Sequence, residues 1–206
     1  MARAYFIGGA PRVGKSTLAL KLQECHPIVG ASTDALRATL RGTVTPVEKP
    51  ELFYLDSLNA DEAHMADLML SHTKAIIAAA DRESEAVWPT IEYFVHQHIS
   101  AGRDVLVEGV AVLASLIKTL NVDYSVVHLG NQSSAQGGII QAYAATHPDT
   151  WLGTLQPATV AAFAHFCQMS SVHVQKQAET HDQPYIEMSN QPFPDSVQLA
   201  LMSLDY

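Results

Sequence analysis

Arginine is missing from the second half of this 206-residue sequence: none follows Arg103, and Lys118 and Lys176 are the lysines that remain there. The whole chain has 12 lysines and arginines against 21 aspartates and glutamates, a formal net charge of −9. Because proteins that grip nucleic acid backbones rely on clustered Lys and Arg, we expect no nucleic acid partner. An anionic ligand must be held by a few local cations and backbone N–H groups, since the overall field repels it.

Cysteine and long apolar runs are also scarce. Cys25 and Cys167 lie far apart without a CxxC spacing, so neither a disulfide framework nor a zinc site is indicated, and we expect both to be buried. No segment reaches the roughly 18 apolar residues needed to span a bilayer, and the first apolar stretch is too short for a signal sequence. We therefore expect a cytoplasmic protein without a membrane partner.

Short apolar segments alternate with helical ones along the chain. The apolar fraction of 48 % and the charged fraction of 16 % are typical of a folded globular protein, whose length does not require a second domain. The predicted buried strands are 4–8, 27–32, 104–108, 124–129 and 185–188. This alternation, without hairpin patterns, predicts an α/β fold in which helices cover both faces of a parallel sheet.

The helical segments fill the gaps between these strands. The longest is 52–101, where Pro89 predicts a kink or a helix start next to Trp88. Thr33-Asp34 is the expected N-cap of a helix after the second strand. Later helices are predicted at 112–120, 139–145, 157–179 and 193–204.

A phosphate-binding motif follows the first predicted strand. Its pattern G-x-x-x-x-G-K-[ST] is met at every specified position, and the candidate nucleotide-binding residues are Gly9, Ala10, Pro11, Arg12, Val13, Gly14, Lys15, Ser16 and Thr17. Backbone N–H groups and a helix N-terminus would face the phosphates, with Lys15 bridging the β- and γ-phosphates, Ser16 on Mg²⁺ and Thr17 near the α-phosphate. The alternative is a glycine-rich turn without a ligand, which the position between strand and helix disfavours.

Asp34 stands at the carboxyl end of the second strand, the edge of an open parallel sheet where ligands bind. Its carboxylate could orient an acceptor hydroxyl and take its proton; the alternative is a helix cap and nothing more. Arg37 and Arg41 share one helix face, so both could hold an anionic group of the acceptor, although a solvated helix face explains them equally well.

Glu108 ends the otherwise apolar strand 104–108. A carboxylate that emerges beside the phosphate loop suits Mg²⁺ coordination, with Ser16 as the second metal-binding residue, and we favour this role over a surface glutamate. The ten histidines show no metal-binding spacing.

These motifs together resemble the P-loop kinases of the nucleoside and small-molecule type, and the nearest similarity is to 2-phosphoglycerate kinase. The similar stretches are GGAPRVGKSTLA at 8–19, STDALRATLR at 32–41 and VLVEG at 105–109. The resemblance implies one three-layer α/β/α domain over residues 1–206, with five parallel strands in the order 2-3-1-4-5, a helical acceptor-side insertion at about 50–101 and a lid-like region at about 131–180.

The function implied is phosphoryl transfer from Mg-ATP to a small hydroxyl compound. Lys15, Asp34 and Arg37 would be catalytic, and Asp34, Arg37, Arg41 and Glu108 would bind the acceptor. A homodimer is one possible assembly.

The scarcity of arginine conflicts with this implication. Kinases of this type usually carry lid arginines, and an arginine that stabilises the transferring group can be worth about 10³ to 10⁵ in rate. Arg12 or Lys176 could substitute; the alternative is a regulatory ATP-binding module that transfers no phosphate.

Overall fold

The computed structural model describes residues 2–58 and 61–204. The described residues form five strands: β1 (Ala4–Gly9), β2 (Val29–Ser32), β3 (Val105–Glu108), β4 (Tyr124–Gly130) and β5 (Tyr185–Glu187). All neighbouring strands are parallel, and their order is β2-β3-β1-β4-β5. The predicted fold class and strand order are therefore confirmed.

Helices of the described residues cover both faces of this sheet. They are α1 (Lys15–Cys25), α2 (Thr33–Arg41), α3 (Tyr54–Leu58), α4 (Glu62–Ser71), α5 (Thr73–Ser100), α6 (Ala114–Ile117), α7 (Ala135–Thr146), α8 (Pro157–Thr180) and α9 (Phe193–Met202). Short 3-10 turns precede α3 and α8, at Pro50–Phe53 and Leu152–Thr154.

The central strand β1 joins the two main hydrophobic cores. Successive side chains of a strand point to opposite faces, so Tyr5 and Ile7 pack in one core with apolar residues of α1 and α9. Ala4 and Phe6 pack on the other face with residues of α5. A third apolar cluster joins α4, α7 and α8. Because both faces of the sheet are covered by helices, β1 is buried on both sides and is apolar along its whole length.

The carboxyl ends of three strands meet at one edge of the sheet. Glu108, the last residue of β3, pairs with Ser32 of β2 on one side and with Ile7 of β1 on the other. Because parallel strands run in the same direction, the phosphate motif after β1 and Asp34 after β2 emerge at the same edge as Glu108.

Two sequence expectations are wrong in detail, and of the two alternatives at Pro89 the helix start is excluded. No helix starts at Pro89, because α5 is continuous through it: the proline is exposed, while Val87 and Ile91 are buried against the sheet. The helix predicted at 112–120 is reduced to α6. Cys25 is exposed and only Cys167 is buried among the described residues.

Among the described residues, no helix has both the length and the apolar character that crossing a bilayer demands.

Candidate active site

The loop between β1 and α1 turns through conformations that favour glycine. Gly14 has φ 97° and directly precedes α1, and a Cβ there would lie 2.7 Å from the Phe193 ring. Arg12 also lies in the left-handed region, with φ 62°, which residues other than glycine seldom adopt. In the described chain no side chain caps the first turn of α1. Its N–H groups are therefore available to an anion.

Lys15 is the cation at the centre of this loop. Its side chain is buried, and Nζ donates a hydrogen bond of 2.6 Å to the carbonyl oxygen of Ala10. Burial lowers the pKa of Lys15 to about 8, although the charges of Glu108 and Asp34 act in the opposite direction. A bound anion would raise this pKa, since it favours the ammonium form. The position thus suits a polyphosphate.

Ser16 and Glu108 face each other where α1 begins and β3 ends. Ser16 Oγ donates a hydrogen bond of 3.3 Å to Glu108 Oε1. Within residues 2–58 and 61–204, no group of three or more His, Cys, Asp and Glu side chains could hold a metal ion. Mg²⁺ commonly takes one or two protein oxygens together with phosphate oxygens and water. The pair therefore fits a cation that bound phosphates help to hold, and does not form a self-contained metal site.

Asp34 lies in the first turn of α2 but does not cap the helix. Ser32 is the N-cap, and its Oγ accepts a hydrogen bond of 3.2 Å from the Asp34 N–H. The expected Thr33-Asp34 cap is wrong because the serine before it supplies the acceptor. The Asp34 side chain is 65 % exposed, with Oδ1 3.8 Å from Arg37 Nη2. Its carboxylate is thus available for another role.

Arg37 and Arg41 do not converge. Arg37 Nη1 donates a hydrogen bond of 3.0 Å to Oε2 of Glu83, a carboxylate of α5 that is 2 % exposed. Arg41 pairs with Asp56, and its guanidinium lies 4.5 Å from the centroid of the Phe53 ring. The expectation of two guanidinium groups on one acceptor anion is therefore not met, because each is engaged by a different carboxylate.

A cleft of about 340 Å³, here called the nucleotide cleft because residues of the phosphate motif line it, lies over the phosphate loop. The Arg12 guanidinium lies 4.0 Å from the centroid of the Tyr143 ring, on α7. The residues that line the cleft are Arg12, Val13, Gly14, Lys15, Ser16, Thr17, Ile139, Ile140, Tyr143 and Phe193. α7 belongs to the lid-like region expected at about 131–180, whereas the contribution of α9 was not expected from the sequence.

A second space, here called the α5–α8 cavity, has a volume of about 180 Å³ and lies between α2, α5 and α8. Two residues of the phosphate loop, Gly9 and Pro11, reach its wall. The polar residues that line it are Thr33, Asp34, Arg37, Asp81, Glu83, Ser84, His128, Ser170, His173 and Gln177. Its remaining wall is largely apolar, with Leu55, Ile77, Val87, Phe166 and Val174 among the lining side chains.

No sequence motif predicts that several polar groups of this cavity lie there. His173 Nε2 lies 2.8 Å from Asp81 Oδ2, although the two residues are 92 positions apart. Ser170 is 7 % exposed, and its hydroxyl has no hydrogen-bond partner in the described structure. His128 is hydrogen-bonded to Gln183 at 2.6 Å, and burial lowers its pKa. The packing of α5 against α8 brings His173 to Asp81, whereas His128 comes from β4.

The sequence matches no protein-family model and no curated protein. Solved structures do resemble this fold. A gluconokinase from Sinorhizobium meliloti 1021 has 15 % identity and a TM-score of 0.50, covering 98 % of this chain and 91 % of that chain. A sugar kinase from Janibacter sp. HTCC2649 has 15 % identity and a TM-score of 0.50, with 100 % and 95 % covered.

A dephospho-CoA kinase from Campylobacter jejuni has 12 % identity and a TM-score of 0.51, with 100 % and 96 % covered. At these identities the likeness shows the fold alone, which this chain shares with the three kinases. The closer resemblance to 2-phosphoglycerate kinase is not confirmed by any of the three.

Proposed function

We propose that this protein is a kinase that transfers the γ-phosphate of ATP to the hydroxyl group of a small molecule. One observation carries the proposal: the α5–α8 cavity is lined both by Gly9 and Pro11 of the phosphate loop and by Asp34. A hydroxyl compound in this cavity would lie between bound phosphates and a carboxylate. The shared fold with three named kinases supports the class of reaction.

Residues 9–17 would hold the nucleotide. The uncapped N–H groups of α1 and the ammonium group of Lys15 would contact the phosphates. Ser16 and Glu108 would hold Mg²⁺, which when bound offsets negative charge on the β- and γ-phosphates. The ring of Tyr143, on the wall of the cleft, would contact the base or the sugar.

The proposed transfer is a direct displacement. The acceptor oxygen forms a bond to the γ-phosphorus while the bond from that phosphorus to the β–γ bridging oxygen breaks, and ADP leaves. The hydroxyl proton passes to Asp34, whose exposed carboxylate makes no cap hydrogen bond that would compete. Arg37 acts through Asp34: its guanidinium, fixed by Glu83, lies 3.8 Å from the carboxylate and orients it.

The alternative function is an ATP-binding regulatory module, and the distribution of cations favours it. No arginine follows Arg103, and of the described residues neither Lys118 nor Lys176 lines the cleft or the α5–α8 cavity. Arg12 is the arginine that lines the nucleotide cleft. In the kinase proposal it supplies the positive charge that lid arginines supply elsewhere.

An acceptor screen that follows ADP release tests the two functions against each other. In the kinase, Asp34→Asn should lower transfer by about 10² to 10⁴ and leave the ATP affinity, measured by calorimetry, nearly unchanged. Asp67→Asn, on the exposed face of α4, is the matched control and should change neither quantity. ATP binding without turnover across a broad panel of alcohols would favour the regulatory module instead.

A further inference from the structure

Negative charge predominates on the wall of the α5–α8 cavity. Three carboxylates, those of Asp34, Asp81 and Glu83, line it together with one guanidinium, that of Arg37. Burial disfavours the charged form of His128 and lowers its pKa. The carboxylates of the wall outnumber its guanidinium three to one. The wall therefore repels an acid and attracts a cation.

The charge of Arg37 is already balanced by a buried carboxylate. Oε2 of Glu83 accepts a hydrogen bond of 3.0 Å from Arg37, and Oε1 accepts one of 2.8 Å from the N–H of Leu55. Glu83 is 2 % exposed, so the pair is shielded from competing water on the carboxylate side. An acceptor carboxylate or phosphate therefore meets a guanidinium whose charge Glu83 already balances, and it gains less there than it would from an unpaired arginine.

The size and polarity of the cavity restrict the ligand further. Its volume is about 180 Å³, and an engineered cavity of about 150 Å³ in another protein binds benzene. A six-membered ring with a few substituents therefore fits. The hydroxyl of Ser170, buried and without a partner in the described structure, points to a ligand that supplies a hydrogen bond. The apolar side chains of the wall favour a ring with apolar faces.

From the wall charge, the engaged Arg37 and the unpartnered Ser170, we propose that the α5–α8 cavity takes an amino alcohol built on a ring of about six atoms, and rejects hydroxy acids. The proposal rests on the function above, in which this cavity holds the acceptor. The ammonium group is stabilised by the carboxylate of Asp81, and the hydroxyl group lies toward Asp34 and the phosphate loop.

Three cyclohexane alcohols that differ in one ring substituent, which is cationic, neutral or anionic, test this inference. They are 4-(hydroxymethyl)cyclohexylamine, 1,4-cyclohexanedimethanol and 4-(hydroxymethyl)cyclohexanecarboxylate. Binding is measured by calorimetry on the full chain with Mg²⁺ and a non-hydrolysable ATP analogue, so that no turnover is needed. We expect the amine to bind tightest and the carboxylate weakest, with roughly a tenfold or larger ratio between them.

Two variants test whether Asp81 and Glu83 determine the order of the three binding affinities. Asp81→Asn should reduce the advantage of the amine over the diol by roughly tenfold while the diol binds as before. Glu83→Gln removes the charge that neutralises Arg37, so the affinity for the carboxylate should rise by roughly tenfold. Glu85→Gln, exposed on the same helix, is the control and should leave all three affinities unchanged. Asp81→Asn keeps the test valid if Glu83→Gln fails to fold.

The outcomes separate this inference from the proposed kinase. A carboxylate that binds as tightly as the amine, or failure of all three alcohols to bind at millimolar concentration, would overturn the inference. ADP release with a hydroxy acid would overturn it too, while the kinase function stands. The expected binding order without any ADP release would support the ligand class and count against phosphoryl transfer.

Discussion

The nucleotide cleft and the α5–α8 cavity are neighbours, but they are built in different ways. Six consecutive residues, 12–17, line the cleft, and α7 and α9 complete it. The cavity collects residues from Gly9 to Gln177, with most of its polar side chains contributed by α2, α5 and α8 and His128 contributed by β4. The proposed phosphate site thus depends on a locally folded backbone, whereas the proposed acceptor site depends on how helices pack. Substitutions in the cavity wall should therefore lower stability and leave ATP affinity unchanged. Substitutions in the phosphate loop should weaken ATP binding and leave stability unchanged.

The largest expected effect on stability is in the cavity wall. Glu83→Ala leaves the Arg37 guanidinium and the Leu55 N–H without their acceptor, and should lower the free energy of unfolding by about 3 kcal/mol. Urea denaturation measures the loss, while the folded variant should bind ATP normally. Glu85→Ala on the exposed face of α5 should change stability by no more than about 0.5 kcal/mol. Equal losses in both variants would contradict a structural role for the buried pair.

Lys15→Ala should show the opposite behaviour in the loop. Loss of the ammonium group should weaken ATP binding by about 2–5 kcal/mol, roughly 30-fold or more in Kd. Stability should not fall, because burial of this charge is unfavourable, as its lowered pKa shows. Lys21→Ala, exposed on α1, is the control for the titration. Wild-type ATP affinity in Lys15→Ala would remove the phosphate loop from the proposed function.

The pH dependence of ATP binding sharpens the same point. The pKa of Lys15 is about 8 in the free protein, and bound phosphates raise it. Above pH 8 binding must therefore take up a proton, so Kd should increase by up to about tenfold per pH unit. Below pH 8 the ammonium form is already present and this dependence should disappear. Calorimetry across this range checks it, and a slope that persists in Lys15→Ala would assign the proton to another group.

The smallest effect is expected at the rim of the cleft. Tyr143→Ala removes the ring that lies under Arg12, and should weaken ATP binding by about 0.5–2 kcal/mol. Tyr93→Ala, 67 % exposed on α5, should leave ATP affinity unchanged. If the two variants behave alike, Tyr143 does not contact the nucleotide.

Part of this arrangement was accessible from the sequence, because neighbouring positions decide it. The phosphate motif lies between a strand and a helix as its pattern requires, and Glu108 meets Ser16 because the ends of parallel strands share one edge. The sequence-based predictions failed where two locally favourable backbone arrangements compete. Ser32 and Asp34 are both good caps, and the backbone selected Ser32. Pro89 is a helix breaker locally, but burial of α5 on both sides of it keeps the helix intact.

By itself, the sequence determined the alternation of strands and helices, the phosphate loop and the acidic residue beside it. These features depend on periodicity and on motifs a few residues long. Tertiary structure alone decided that Glu83 neutralises Arg37, that Arg41 turns to Asp56, and that His173 meets Asp81. Those partners lie 15 to 92 positions apart along the chain. The packing of the helices decides which of these side chains face one another. A motif of a few residues contains no information about that packing.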